Sequence, residues 1–200
     1  MNEQAVHKEQ ELRDGHILQI FQDTTAESPR SWTNLGTMAI FHKRYNFGDE
    51  VKFSSEDFPD WAEMEEYIKK ELKAAVVLPI YMYDHSGITI QTEAFACPWD
   101  SGQVGFIYVT RDQLREEYHK HNIKEEQLKN ATYRLESEVK IMNRYLAGDV
   151  YGFHLIKRTP GKEDEILDSC SGFYGDNLGE NDMLDYIPKE LIPEDLTPDT

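Results

Sequence analysis

Apolar positions along the chain fall in short blocks whose period alternates between two and about 3.6 residues. His16-Ile17-Leu18-Gln19-Ile20-Phe21 and Thr37-Met38-Ala39-Ile40-Phe41-His42 are apolar and β-branched enough to predict strands, with a loop of Thr, Ser, Pro and charge from Asp23 to Ser31 between them. Trp61, Met64, Ile68 and Leu72 then recur at spacings of 3, 4 and 4, one face of a helix that begins near Asp57. Ser54 or Ser55 can cap it, and Lys69, Lys70 and Lys73 suit its C-terminal end. From Ala74 to Tyr83 the apolar run predicts a central strand, in which Pro79 marks a bulge or an edge-facing position. A turn at Asp84-His85-Ser86-Gly87 leads to Ile88–Thr92 and, past Cys97 to Gly102, to Val104–Thr110, which together predict an antiparallel meander. Thr110 can cap a helix reaching Lys120.

The longest helix is predicted from about Lys124 to Ala147, with an inward stripe of Leu128, Ala131, Leu135, Val139, Met142 and Leu146 and Gly148 at its end. Val150 to Arg158 and Glu165 to Cys170 read as a hairpin about Thr159-Pro160-Gly161-Lys162, and Asp182 to Leu191 as a short helix. The elements predict an α+β fold: one domain over 15–191, mainly antiparallel sheet with the long helix packed on it. A polar arm at 1–14, either a short helix or loose, and an acidic tail at 192–200 flank it.

Charge changes the picture most. Among 200 residues, 38 Asp and Glu stand against 21 Lys and Arg, a net −17. From Gly161 to Thr200, twelve acids face two lysines. Such a surface repels phosphate, so direct binding of DNA, RNA or an anionic membrane is disfavoured; the basic clusters His42-Lys43-Arg44 and Lys69-Lys70 with Lys73 sit beside acids. No apolar run is long enough for a spanning helix and the first residues are polar, which predicts a soluble, cytoplasmic protein with no membrane partner. The acidic end reads either as a solubilising surface or as a face for a basic groove, built on Glu163, Asp164, Asp176, Glu180, Asp182 and Asp185.

Candidate chemistry concentrates at Asp84, His85 and Ser86, with Glu93, Cys97, Asp100 and Ser101 downstream. Cys97 as nucleophile, His85 as base and Asp84 as orienting acid would make an enzyme site, and the same residues would serve a metal-dependent hydrolase or a nucleotide-processing enzyme centred on Asp84, His85, Cys97 and Asp100. Adjacent turn residues point in different directions, and no catalytic, nucleotide or metal motif occurs, so no cofactor and no metal is expected. Two cysteines, Cys97 and Cys170, are too few for a disulfide scaffold. Three glycine- and aromatic-rich segments, around Trp32, Trp99 and Phe173, suit either recognition loops or turns flanked by core aromatics.

The segments Leu78-Pro79-Ile80-Tyr81-Met82-Tyr83-Asp84-His85-Ser86-Gly87-Ile88-Thr89 and Cys97-Pro98-Trp99-Asp100-Ser101-Gly102-Gln103-Val104-Gly105 resemble a family of uncharacterised bacteriophage, prophage and mobile-element proteins. The likeness extends to Ser28-Pro29-Arg30, Asn34-Leu35-Gly36-Thr37-Met38, Tyr145-Leu146-Ala147-Gly148 and Gly172-Phe173-Tyr174-Gly175, and spans about residues 16 to 175. It implies a phage gene product that acts in the bacterial cytoplasm and meets a host protein, and it carries no catalytic residues across. Relatives tend to have an aromatic where this chain has Ser171, which weakens that position as part of an aromatic site. The leading expectation is a small acidic protein that binds a host nucleic-acid-binding defence protein. Such a protein inhibits a nuclease by nucleic-acid mimicry, in the manner of anti-CRISPR or anti-restriction proteins, using the six acids with Trp32, Trp99 and Phe173.

Overall fold

The structure, a computed structural model, describes residues 5–196. In chain order its strands are β1 (Val6–Glu11), β2 (His16–Gln22), β3 (Thr37–Ile40), β4 (Ala74–Asp84), β5 (Ile88–Gln91), β6 (Ser101–Thr110), β7 (Val150–Lys157) and β8 (Glu165–Tyr174). Its α-helices are α1 (Trp61–Lys70), α2 (Arg111–Tyr118) and α3 (Glu125–Leu146). The fold is α+β, with two antiparallel sheets and the long helix α3 packed on one of them. Where the pattern predicts one domain over 15–191, the chain forms two compact units: unit 1 joins Met1–Glu27 to Gly148–Thr200, and unit 2 is Ser28–Ala147. No Pro-, Gly- or Ser-rich linker marks either crossing, because unit 2 is inserted between two paired strands of unit 1 rather than strung after it.

Unit 2 orders its strands β3-β6-β4-β5. β6 is buried without a break from Val104 to Val109, so it needs cover on both faces and takes an inner position; β5, four residues with one exposed, takes the edge. The meander suggested by linear succession is thereby replaced. A Cβ at Gly105 would collide with the Ala39 carbonyl oxygen, so only glycine lets β3 close on β6. At Pro79 strand β4 has β6 on one side and no strand on the other, since β5 pairs only Tyr81–Asp84. The predicted stripe of α3 is the buried one: Ala131, Leu135, Val139 and Met142 pack against Met38, Ile80, Met82 and Ile107. The opposite sheet face lies under α1, where Met64 and Ile68 join Ala39, Phe106, Tyr108 and the rings of Phe41, Phe53, Phe58 and Tyr67. α1 starts later than expected, capped by Asp60, while Ser54 caps a separate 3-10 turn at Ser55–Asp57.

Unit 1 is the sheet β1-β2-β7-β8. The expected arm is largely β1, whose backbone pairs with β2; its ends at 1–4, like the tail residues 197–200, lie outside the described residues. An edge strand wet on both sides shows no apolar alternation, which is why its polar sequence resembles an arm. The helix expected at 182–191 is instead a series of 3-10 turns, Met183–Tyr186, Lys189–Leu191 and Glu194–Leu196, because Pro188 and Pro193 remove donors a continuous helix would use. Those turns place Met183, Leu184, Ile187 and Ile192 on Leu18, Ile20, Phe153 and Leu155, so the chain beyond 191 begins in the core rather than as a tail.

Candidate functional site

The turn after β4 and the loop before β6 meet at one end of the unit 2 sheet, held there by the Asp84 amide donating to the Asp100 carbonyl at 2.9 Å. Ser86 and Gly87 take positive φ, which closes the turn tightly. His85 Nδ1 lies 3.5 Å from Asp100 Oδ2, and Cys97 Sγ donates to the same oxygen at 3.9 Å. Ser101 Oγ donates to the Cys97 carbonyl at 2.5 Å. Asp84 faces the other way, paired with Arg44 and accepting from the Tyr45 hydroxyl at 3.4 Å. Three of the four proposed catalytic residues therefore converge and the fourth is turned aside. The convergence has the wrong order for nucleophilic chemistry, since the carboxylate, not the imidazole, receives the thiol, and His85 is largely open to water. Among the described residues no group of three or more His, Cys, Asp or Glu is arranged to hold a metal ion.

Around this polar knot stands a set of aromatics. Tyr83 packs beside Phe95 at 5.7 Å and His85 at 6.0 Å, His42 stacks on Tyr45 at 5.1 Å, and the Arg44 guanidinium sits 5.3 Å from the Tyr45 ring. Trp99, at the loop tip, is 92% exposed. Trp32 is 46% exposed and belongs to the opposite end of the sheet, because the residues that follow it, Thr33 to Leu35, line a groove with Gln113 and Glu116 of α2, beyond the far end of β6. Phe173 is a correction: 6% exposed and packed on Phe153 and Tyr186, it is a core residue of unit 1 and offers no face to a partner.

All six candidate acids are exposed, but they form two groups. Glu163 and Asp164 precede the first residue of β8, and Asp176, Glu180, Asp182 and Asp185 follow its last, with roughly 30 Å of strand between at ~3.3 Å per residue. Asp164 is engaged, accepting from Arg158, which also binds Glu9. The hydrogen bonds from Arg158 and Gln19 hold the Glu9 carboxyl below its ordinary value. At the other end, burial first and then the neighbouring Asp149 and Asp176 push the Tyr151 phenol up.

A buried polar centre in unit 2 lay outside the candidate set. Arg30, with its side chain 8% exposed, donates from Nε and Nη2 to Asp49 at 3.0 and 2.5 Å, from Nη1 to Glu138 at 2.9 Å, and to the Gly36 carbonyl at 2.7 Å. Glu138 in turn accepts from the Leu35 amide at 2.8 Å, and Asp49 from the Met38 amide at 2.7 Å. Burial would lower the guanidinium's affinity for its proton, and its hydrogen bonds to Asp49 and Glu138 outweigh that, so its pKa is raised. One signal was legible: Glu138 sits between Leu135 and Met142 at spacings of 3 and 4, a carboxylate on the inward stripe.

Compared with known protein families, with curated proteins and with solved structures, the chain matches none. Among the described residues no helix is long and apolar enough to cross a membrane.

Proposed function

We propose that the chain works by binding, as a phage or mobile-element protein of the bacterial cytoplasm whose unit 1 enters the basic groove in which a host defence nuclease holds nucleic acid. The observation that carries this reading is the uneven charge: unit 1 has 19 acids against 6 basic residues, a balance of −13, while the larger unit 2 is at −4. Folding gains nothing from like-sign repulsion, and a one-signed surface raises encounter rates with an oppositely charged cleft. The two acid groups at the ends of β8 suit a partner that spaces its cations along a groove of DNA-like length. The resemblance to phage and mobile-element proteins supplies the cellular setting. The meeting of His85, Cys97 and Asp100 is the observation for a hydrolase, and its exposed, carboxylate-centred geometry favours binding instead.

The test is DNA cleavage by purified bacterial restriction endonucleases and CRISPR effector nucleases, with and without the protein. Inhibition of at least one nuclease that weakens with added salt, and is lost when Glu163, Asp164, Asp176, Glu180, Asp182 and Asp185 become Gln or Asn, supports the reading. Cleavage that proceeds unchanged for every enzyme, or inhibition equally strong in the neutralised variant, removes it.

A further inference from the structure

We infer that the loop 92–100 of unit 2 presents Trp99 as the anchor for a cationic peptide segment of a partner protein, an arginine or lysine lying over the indole with Asp100 and Glu93 as its counter-charges. The inference goes beyond the acidic surface of unit 1 and rests on other residues.

Trp99 carries the largest apolar ring system of any side chain and leaves 92% of it in water. A slack loop would let the indole fold back on the nearest apolar surface. This loop is pinned on both sides of its tip. Before it, Gln91 Nε2 donates to the Glu93 carbonyl at 2.9 Å, and Phe95 packs beside Tyr83 at 5.7 Å. After it, Asp100 is held through its carbonyl by the Asp84 amide and through its carboxylate by Cys97, while Ser101 ties back to the Cys97 carbonyl. Pro98 fixes φ immediately before the tryptophan. The backbone that carries the tryptophan is therefore ordered in the free protein, and an aromatic contact costs only the indole's own rotamer freedom, a condition under which one ring can dominate an interface.

Charge selects the occupant. From Tyr81 to Gln103 the chain carries Asp84, Glu93 and Asp100 and no lysine or arginine. Asp84 is paired with Arg44, and Asp100 meets His85 and Cys97 through Oδ2, so Glu93 and the other oxygen of Asp100 are the negative groups this segment has left to offer a cation. A cation over the ring gains from the indole quadrupole and from those carboxylates together, whereas an anionic segment is repelled and a neutral apolar one gains only contact.

The experiment is an NMR titration of the full chain with the peptide Gly-Arg-Gly-Arg-Gly, capped at both ends, and with its Lys, Leu and Glu counterparts, following the indole Nε1–H resonances. The three tryptophans, Trp32, Trp61 and Trp99, are distinguished by Trp99→Phe. A saturable shift of the Trp99 signal with the arginine peptide, smaller with lysine and absent with glutamate, is expected. Followed through the backbone amides of residues 92–101, Trp99→Ala should abolish the response of this loop with thermal stability unchanged, and Glu93→Gln with Asp100→Asn should weaken it about two- to fivefold. The variant lacking the six acids of unit 1 should bind the peptide as wild type does, so failure here and failure of the acidic-surface reading are told apart. An equal response to the leucine peptide, or a response of the 92–101 backbone amides that survives Trp99→Ala, overturns the inference.

Discussion

Unit 2 holds 19 acidic and 15 basic residues on 120 positions, whereas unit 1 holds 19 and 6 on 80. In unit 2 many of the charges meet locally: Lys69 with Glu65, Lys70 with Glu66, Arg115 with Asp112, Lys129 with Glu125, and Arg134 with Glu117. Its one buried guanidinium meets two carboxylates. In unit 1 the basic residues run out, and at least 13 acids have no basic residue of that unit to pair with one to one. The two sheets are also covered by different elements. Unit 2 packs α1 and α3 on the two faces of its sheet, whereas the described residues of unit 1 form no α-helix: short 3-10 turns pack on the Leu18 and Phe153 face, Ile17, Phe21 and Ile156 are buried on the other, and the ten-residue strand β8 is an exposed edge. A charge excess gathered on one unit is a feature the packing of its core does not require, which directs attention to what it meets.

The sharpest way to break the comparison is at Arg30. Arg30→Met leaves Asp49 and Glu138 buried without their cation and should cost about 3 to 5 kcal/mol in denaturant unfolding, more than any single charge removed from unit 1. Leu135→Ala, fully buried under the sheet, should cost about 2 to 5 kcal/mol; a loss under half a kcal/mol would mean α3 does not form that core. Thr110→Ala removes the cap of α2, in which Thr110 Oγ1 accepts from the Gln113 amide at 3.2 Å, and should cost about 1 kcal/mol. Neutralising the six acids of unit 1 should leave the melting temperature unchanged or slightly raised, since self-repulsion falls. Smallest is Glu9→Gln. Glu9 is held below its ordinary 4.5, so its contribution is complete above that value and disappears as pH falls through the lowered one. Wild-type and variant stability curves should coincide in acid and separate slightly towards neutral pH.

Most of unit 2 was legible because its signals are strong and local: the α3 stripe, the Thr110 cap, and the unbroken apolar strand β6. Strand order was not, because β5 and β6 both follow β4 and only burial on two faces decides which lies inside. Unit 1 was harder. β1 is polar on both faces, and the turns after Asp182 borrow the apolar spacing of a helix while Pro188 and Pro193 forbid one. At the candidate site, the sequence brought His85, Cys97 and Asp100 to the same end of the sheet, yet whether a carboxylate lies between or beside its neighbours depends on loop closure that no spacing encodes. Phe173 and Trp99 show the same limit: each is an aromatic within three residues of a glycine, and only the packed structure separates a core ring from a displayed one.

The central claim is that the charge of unit 1 acts on a partner, and the association rate of the inhibited nuclease with wild type and with the six-acid variant, each at low and high salt, tests it most directly. Steering predicts a wild-type rate that falls about tenfold or more as salt rises, and a variant rate that is slow and nearly flat. Equal rates and equal salt dependence for the two folded proteins would contradict it.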